Sequence, residues 1–332
     1  MRVGKGDDQV TVQRGSPDIA GFQNRGESMS TRRYGRYTVE TSNEDKILIA
    51  DVGITKGALI DYYEAVSEHF LRHASDRPLT MQRFPDGINK KGFFQKQIGD
   101  YFPEWIKRVR VTTEEGHQEQ VVCNNRATLV YLANQACVTS HLFSSKIDRL
   151  DEPDRLIIDL DPSGNDFDTV RRAARQCKAL LAELDLISFV KTTGSRGLHV
   201  VVPIRRQRGF EHVRAFARAL AEHLAYRHGD SLTTEQRKSK RRGRLYLDVG
   251  RNAYGQTAVA PYSVRALNGA PVATPIDWAE LEDRSLHAQT FTMRNVCGRL
   301  DNQGDPWQSL GRSARSLEAA RQRLDSLVAS ES

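Results

Sequence analysis

The stretch RLIIDLDP, Arg155–Pro162, places two aspartates one residue apart at the end of an apolar run. A short apolar run of this kind predicts a buried strand. Because side chains alternate between the faces of a strand, Asp159 and Asp161 point the same way while Ile158 and Leu160 point into packing. Two carboxylates on one face repel each other and raise each other's pKa unless a cation lies between them. Oxygen ligands of this type favour Mg²⁺ or Mn²⁺.

A third strand-end aspartate strengthens this interpretation. Asp248 closes a second apolar strand, RLYLD, and a glycine, Gly250, follows two residues later. Three strand-end aspartates can hold two metal ions, which activate a hydroxyl group and neutralise a leaving phosphate. The alternative is that the strands simply run into solvated loops and leave the acids exposed.

A glycine-containing turn joins two further strands in KTTGSRGLHV, Lys191–Val200. Glycine allows backbone N–H groups to approach an anion, and Thr193, Ser195 and Arg196 add donors. His199 begins the following strand. Alone, such a hairpin is only a turn, but together with the aspartates it predicts metals, a phosphate cradle and a histidine in one sheet.

The chain has 332 residues, room for one large domain or two small ones. Residues 1–38 are rich in Gly, Ser, Arg and Asp without periodicity and are expected to form a disordered tail, with Met29 as an alternative start. Residues 39–300 carry globular patterning, and 301–332 are expected to be a helical extension. No apolar run reaches the roughly 20 residues of a membrane span, and the N-terminus lacks a secretory signal, so we expect a cytoplasmic protein without a membrane partner.

Alternation of strand and helix patterns predicts an α/β fold with a mixed sheet. GALIDYYEAVSEHFLRH is predicted to be one helix capped by Thr55. Its inward face comprises Leu59, Tyr63, Val66 and Phe70. Further predicted helices are ATLVYLANQA, DTVRRAARQCKALLAEL and FEHVRAFARALAEHLAYRH, and further strands are RPLTMQRF, ISFVKT, LHVVVPI and RLYLDVG.

Charge points to a polyanionic partner. The net charge is +7, and six of the eight residues of RKSKRRGR, Arg237–Arg244, are Lys or Arg. So dense a run repels itself unless something offsets it, which favours nucleic-acid or phosphate contact over a merely solvated loop.

The order of DLDP, TGSRGLHVVVP and YLDVGRNAYGQTAVAPYSVRA resembles the polymerase domain of bacterial ATP-dependent ligase D, in the archaeo-eukaryotic primase superfamily. The resemblance extends upstream to TSNEDKIL, ITKGALIDYYEAV, RPLTMQRFPDGINKKGFFQKQ and ATLVYLANQACVTSH, and covers roughly residues 40–300. It implies a primase-polymerase catalytic core with flanking helices. Arg196 stands where many relatives have lysine, and Thr193 where some have serine; arginine is longer and planar.

The resemblance implies a template-dependent nucleotidyltransferase that fills gaps and extends 3′ ends at double-strand breaks in non-homologous end joining. It implies catalysis with two Mn²⁺ or Mg²⁺ ions and a preference for ribonucleotides. The expected partners are gapped or 3′-overhang DNA ends with a 5′-phosphate, an NTP or dNTP, bacterial Ku and a separate ATP-dependent DNA ligase. The expected location is the nucleoid.

Residue by residue, the resemblance implies three groups. The catalytic, metal-binding group is Asp159, Asp161 and Asp248; the nucleotide-binding group is His141, Thr193, Ser195, Arg196, His199 and Arg265; the DNA-binding group is Asn43, Lys46, Lys56, Phe93, Phe94 and Arg241. Within the last, the aromatic pair would stack on template bases, and the asparagine with the two lysines would read the 5′-phosphate.

Three rivals stay open. A DNA-end-binding module that synapses breaks without turnover would need only the lysines, the aromatic pair and the basic run. A replicative or CRISPR-linked primase-polymerase would share the active site. IIDLDPS also resembles the aspartate motif of haloacid-dehalogenase phosphatases, but that fold leaves TGSRGLH unexplained.

Overall fold

A computed structural model describes residues 29–331. The strands are β1 (Met29–Tyr34), β2 (Tyr37–Ser42), β3 (Ile47–Ile49), β4 (Ile54–Thr55), β5 (Pro78–Arg83), β6 (Phe93–Gln95), β7 (Arg108–Thr113), β8 (Gly116–Val122), β9 (Cys137–Phe143), β10 (Ser145–Lys146), β11 (Arg149–Pro153), β12 (Arg155–Asp161), β13 (Phe189–Thr192), β14 (Leu198–Pro203), β15 (Leu232–Thr233), β16 (Leu245–Asp248), β17 (Thr257–Val259), β18 (Ser263–Val264), β19 (Val272–Ala273) and β20 (Pro275–Ile276). The α-helices are α1 (Lys56–Ala65), α2 (Ser67–Ala74), α3 (Arg126–Asn134), α4 (Phe167–Glu183), α5 (Phe210–Arg227), α6 (Val296–Gln303) and α7 (Leu317–Glu331).

Two large sheets organise the chain. The first has the order β15-β16-β12-β14-β13-β20 and is antiparallel except for the parallel pair β15–β16. The second has the order β17-β9-β5-β8-β7, with β6 added to β5, and is antiparallel throughout. The predicted α/β class with a mixed sheet is confirmed.

The two faces of β12 bury different partners. Ile158 and Leu160 pack into an apolar core formed with α4, α5 and α7. Ile157 lies on the other face, in a small cluster with Trp307 from the C-terminal region. A separate core fills the space between the second sheet and α1–α3. The face of β12 that carries the two aspartates therefore opens toward the second sheet, as alternation requires.

The first predicted helix is interrupted. Thr55 caps α1 as expected, accepting a hydrogen bond at Oγ1 from Ala58 N–H at 3.1 Å. The helix then breaks at Val66, which separates α1 from α2. The apolar stripe nevertheless holds, because its four members are all buried: Leu59, Tyr63, Val66 and Phe70.

The tail prediction is wrong for residues 29–38. β1 and β2 form an antiparallel hairpin with Met29 opposite Ser42. Arg32 fastens the hairpin to α1, with ion pairs to Asp61 at 2.6 Å and Glu64 at 3.0 Å. Strand β1 is mostly exposed, so it lacks the alternation of apolar residues by which a strand is predicted from sequence. Residues 1–28 lie outside the described part of the chain.

The predicted C-terminal helix is present as α7, whose Leu317 and Leu324 are buried against the first sheet's core. The expected domain boundary at residue 300 falls inside α6, however. Trp307 packs between the two sheets, so residues 301–331 belong to the same packed unit. Among the helices described, none has the length and apolar character needed to cross a membrane.

Candidate active site

Four polar residues lie in one row across the first sheet. Lys191 on β13 is opposite His199 on β14, His199 is opposite Asp159 on β12, and Asp159 is opposite Asp248 on β16. Residues directly opposite in adjacent strands project to the same face. Asp248 therefore lies beside Asp159 on the same face of the sheet. Asp161 lies on that face as well, two residues along β12.

Arginines hold one of the three carboxylates. Arg196 donates to Asp161 Oδ1 at 2.9 Å, and Arg241 donates to Asp161 Oδ2 at 2.9 Å. Arg241 is 7% exposed, lies over the ring of Tyr246 and also donates to two backbone carbonyls. Two guanidinium groups thus neutralise the carboxylate that the sequence assigns to a metal.

The donor set suits divalent ions in kind and in placement, since three carboxylates share one face of adjacent strands. Within residues 29–331, however, no three or more His, Cys, Asp or Glu side chains are already arranged around a common metal position. Asp248 Oδ1 accepts from Gly250 N–H at 2.8 Å, and Asp161 is bonded to arginine. A metal ion at Asp161 would share the carboxylate with two guanidinium groups.

Two glycines shape the cradle between β13 and β14. Gly194 has φ +64°, and a Cβ there would lie 2.7 Å from Cγ of Arg265. A Cβ on Gly197 would lie 2.0 Å from the carbonyl oxygen of Leu160, so only glycine lets the turn approach β12 this closely. The turn is thereby pressed against the strand that carries the aspartates.

Thr193 organises the turn from within. Its Oγ1 accepts from the N–H groups of Ser195 and Gly197, both at 3.2 Å, and donates to Gly197 O at 3.0 Å. Its hydroxyl hydrogen is therefore used inside the loop, whereas the resemblance assigns Thr193 to the nucleotide. Arg265 donates to the carbonyl of Thr193 at 2.8 Å and ties the turn to β18.

A cavity of about 140 Å³ collects these groups. Every predicted nucleotide-binding residue lines it, together with two of the three aspartates: His141, Thr193, Ser195, Arg196, His199, Arg265, Asp159 and Asp161. The first sheet supplies the acids and the second sheet supplies the histidine of β9. Residues far apart in the chain thus meet in one polar cleft between the sheets.

Burial and charge set the protonation states in this cleft. Burial would raise the pKa of Asp159, but His199 and Arg251 outweigh it and hold the pKa below its ordinary value. Burial lowers the pKa of His199 to about 4 and that of His141 to about 3. His199 Nε2, 3.5 Å from Asp159 Oδ2, therefore faces an ionised carboxylate as a neutral imidazole.

Arg251 is a site residue that the sequence reasoning missed. It lines the cavity, and its Nε lies 3.8 Å from Asp159 Oδ2. The neighbouring Asn252 is buried and clasps β12, accepting from Ile157 N–H at 2.8 Å and donating to Ile157 O at 2.7 Å. The sequence gives one signal for Arg251, which is its position three residues after Asp248.

The residues assigned to the 5′-phosphate meet in one compact turn. Lys46 N–H donates to Asn43 O at 3.1 Å, and Lys56 N–H donates to Lys46 O at 2.8 Å. Lys46 Nζ pairs with Asp86 at 2.8 Å, and Lys56 begins α1. The turn and the start of α1 thus lie together, although the first helical N–H groups are already used: Gly57 N–H donates to Glu44 O at 2.8 Å and Ala58 N–H to Thr55 Oγ1 at 3.1 Å.

Phe93 and Phe94 are 45% and 62% exposed on β6. They lie close to the cavity, because the ring centroid of Phe94 is 5.5 Å from that of His141. The run Arg237–Arg244 was predicted as a whole to contact nucleic acid or phosphate, but its arginines differ in exposure. Arg237 and Arg242 are exposed, but Arg241 is buried against Asp161, so in this structure it is not on the open surface.

Known proteins resemble this chain over most of its length. The family model described as "LigD, primase-polymerase domain" matches residues 55–307.

The chain belongs to the LigD primase-polymerase family.

It is therefore a nucleotidyltransferase domain of the primase-polymerase type. The polymerase domain of Mycobacterium tuberculosis ligase D in complex with DNA superposes with a TM-score of 0.78 at 30% identity, covering 83% of this chain and 99% of that one. The resemblance noted from the motifs is thus confirmed for family and fold.

Curated relatives are full-length LigD proteins. The multifunctional non-homologous end joining protein LigD of Mycolicibacterium smegmatis is 33% identical over 276 residues, covering 82% of this chain and 36% of the relative. The bifunctional non-homologous end joining protein LigD of Bacillus subtilis is 32% identical over 265 residues, covering 79% and 42%. The chain therefore spans well under half the length of these relatives.

Proposed function

We propose that the chain is a template-dependent polymerase that fills gaps and extends 3′ ends at DNA double-strand breaks in bacterial non-homologous end joining. Its substrates are NTPs and dNTPs, with ribonucleotides favoured. Its DNA partners are gapped or 3′-overhang ends with a 5′-phosphate, and Ku and a separate ATP-dependent ligase are its proposed protein partners at the nucleoid in the cytoplasm.

One observation carries the proposal. Asp159 and Asp248 face each other across adjacent strands, and the cleft beside them gathers the cradle, His199 and Arg265. A cleft that brings carboxylates and arginines together suits a nucleotide that carries both metal ions and a triphosphate.

We assign two Mn²⁺ or Mg²⁺ ions to Asp159, Asp161 and Asp248. When bound, such ions lower the pKa of an attacking hydroxyl and neutralise charge on the transferred phosphate. The side chains of the protein bind the triphosphate. Arg196 and Arg265 bring positive charge to it, and the neutral His199 offers one N–H. Holding the reactants side by side supplies a large part of the rate enhancement.

The DNA ends are assigned to surfaces on either side of the cleft. The turn containing Asn43, Lys46 and Lys56 takes the 5′-phosphate on the far side of a gap. Phe93 and Phe94 stack on template bases, where each contact contributes about 1–3 kcal/mol. Arg241 would reach DNA only after leaving Asp161.

Primer extension on a gapped duplex with a 5′-phosphate tests the proposal, with Mn²⁺ present and ATP compared with dATP. Extension directed by the template base, stronger with ATP, is the expected result. Asp159→Asn and Asp161→Asn should abolish addition while DNA binding persists. A wild-type protein that adds no nucleotide would favour the alternative function, a DNA-end-binding module without turnover. Synthesis on unprimed single strands would favour a primase.

A further inference from the structure

A second, smaller cavity lies between the two sheets, and His199 borders both. It encloses about 20 Å³ and is lined by apolar side chains and by four polar residues: Ser144, Arg155, Lys191 and His199. A cavity needs only about 10–15 Å³ to hold one water molecule, provided that polar partners surround it.

Each of these four polar residues has a buried atom without a hydrogen-bond partner in the described part of the chain. The atoms are Ser144 Oγ, Arg155 Nε, Lys191 Nζ and His199 Nδ1. Leaving a buried donor or acceptor unsatisfied costs roughly 1–3 kcal/mol, so such groups are normally bridged by ordered water. Four atoms of this kind around one small cavity mark a built water site.

The surroundings of His199 favour one tautomer of its imidazole ring. Its Nε2 lies 3.5 Å from Asp159 Oδ2, and an ionised carboxylate only accepts. Nε2 therefore carries the hydrogen, and Nδ1 is left as an acceptor in need of a donor. Lys191 Nζ carries N–H donors in both its protonated and its neutral form, and the residue sits directly opposite His199 across β13–β14.

We propose that Lys191 is a positioning residue for nucleotide binding, which acts through a water molecule in this cavity. The water accepts from Lys191 Nζ and donates to His199 Nδ1. This contact holds the imidazole in the Nε2–H tautomer and aims that hydrogen at Asp159 and the triphosphate cleft. The proposal rests on the proposed function, since it assigns the held ring to the triphosphate.

The buried amine of Lys191 contributes little to the stability of the fold. The residue is 2% exposed, and burial lowers the pKa of its ammonium group to about 7. Arg265 and Arg155 lower that pKa further, and Asp159 opposes them. A buried amine with no partner in the described residues costs folding energy, so replacing it with an apolar side chain of similar length should not destabilise the fold.

Three readouts test this role in the full chain. In Lys191→Met, nitrogen NMR of histidine-labelled protein should show His199 leaving the pure Nε2–H tautomer, with His199→Gln identifying the signal. KM for ATP should rise about tenfold or more, a change comparable to the loss of a group that orients a metal-binding histidine. The melting temperature should stay equal or rise. Lys191→Arg, which keeps a donor, should recover much of the affinity.

Lys178→Met is the matched control, because Lys178 lies over Trp278 and borders neither cavity. It should change neither the His199 signal nor KM. An unchanged tautomer and KM in Lys191→Met would overturn the proposal, as would a high-resolution crystal structure with no water within hydrogen-bond distance of Lys191 and His199. If the wild type adds no nucleotide, the proposed function fails, but the water and the tautomer still decide the role of Lys191.

Discussion

Phe94 lies edge to face against His141, with ring centroids 5.5 Å apart and planes inclined by 69°. One residue is assigned to the template and the other to the incoming triphosphate. Phe94 lies on β6 and His141 on β9, and β5 pairs with both of these strands. The residues proposed for template stacking and for nucleotide placement are therefore in direct contact.

Phe94→Ala should weaken both functions together. Loss of a stacked base costs about 1–3 kcal/mol, so template affinity should fall roughly 5- to 150-fold. KM for the nucleotide should also rise, because His141 loses its aromatic neighbour. Steady-state primer extension and DNA titration measure the two effects. Tyr226→Ala removes an equally exposed aromatic ring from α5 and should change neither; a nucleotide KM untouched in Phe94→Ala would contradict the coupling.

If Asp161 binds a metal ion as proposed, Arg241 should compete with that ion for the carboxylate. The buried guanidinium donates to Asp161 Oδ2 at 2.9 Å, and a charge-assisted hydrogen bond contributes about 1.5–3 kcal/mol. Arg241→Ala should therefore tighten Mn²⁺ binding, measured by calorimetry without nucleotide, about tenfold or more. Arg242→Ala removes the exposed neighbour in the same basic run and should have little effect. Equal Mn²⁺ affinity in the wild type and Arg241→Ala would rule out competition.

Acid should destabilise the fold through two neutral histidines, of which His199 is buried and His141 is half-buried. Burial lowers the pKa of His141 to about 3 and that of His199 to about 4, against about 6.5 in the unfolded chain. The unfolded state thus binds more protons, so the free energy of unfolding is greatest above pH 6.5 and falls as pH drops toward the folded values.

At pH 5 the loss should be about 2 kcal/mol for each histidine. Urea unfolding at pH 5, 6 and 7 measures it. Together, His141 and His199 lower the free energy of unfolding between pH 7 and pH 5. His141→Gln should remove about half of that decrease. A free energy of unfolding that stays constant over this range would show that these imidazoles are not buried in neutral form.

Much of the site was legible in the sequence because it depends on strand alternation and glycine. The alternation in β12 correctly separated Asp159 and Asp161 from Ile158 and Leu160. The apolar stripe of α1 and α2 was also predicted, although the break at Val66 was not. Local periodicity shows which face is buried, but a single residue of irregular backbone leaves that pattern intact.

The misses come from contacts that only tertiary structure creates. Arg251 reaches Asp159 because its neighbour Asn252 hydrogen-bonds to β12, about ninety residues earlier in the chain. Arg241 looks like any other cation of its run until β16 places Tyr246 beneath it. Spacing along the chain carries no record of such contacts. The exposed strand β1 was missed for the opposite reason, since it has almost no apolar face.

Gly197→Ala should disable the cradle while leaving most of the fold in place. Its Cβ would lie 2.0 Å from Leu160 O, so the turn must move away from β12. Overpacking of this kind typically costs about 1–3 kcal/mol. The displaced turn should also carry Ser195 and Arg196 away from the cleft, so nucleotide affinity should fall more than the melting temperature implies. Gly164→Ala is the matched control, because nothing lies within 4 Å of the added Cβ. Thermal unfolding and nucleotide titration separate the two effects, and full nucleotide affinity in Gly197→Ala would show that the turn does not hold the triphosphate.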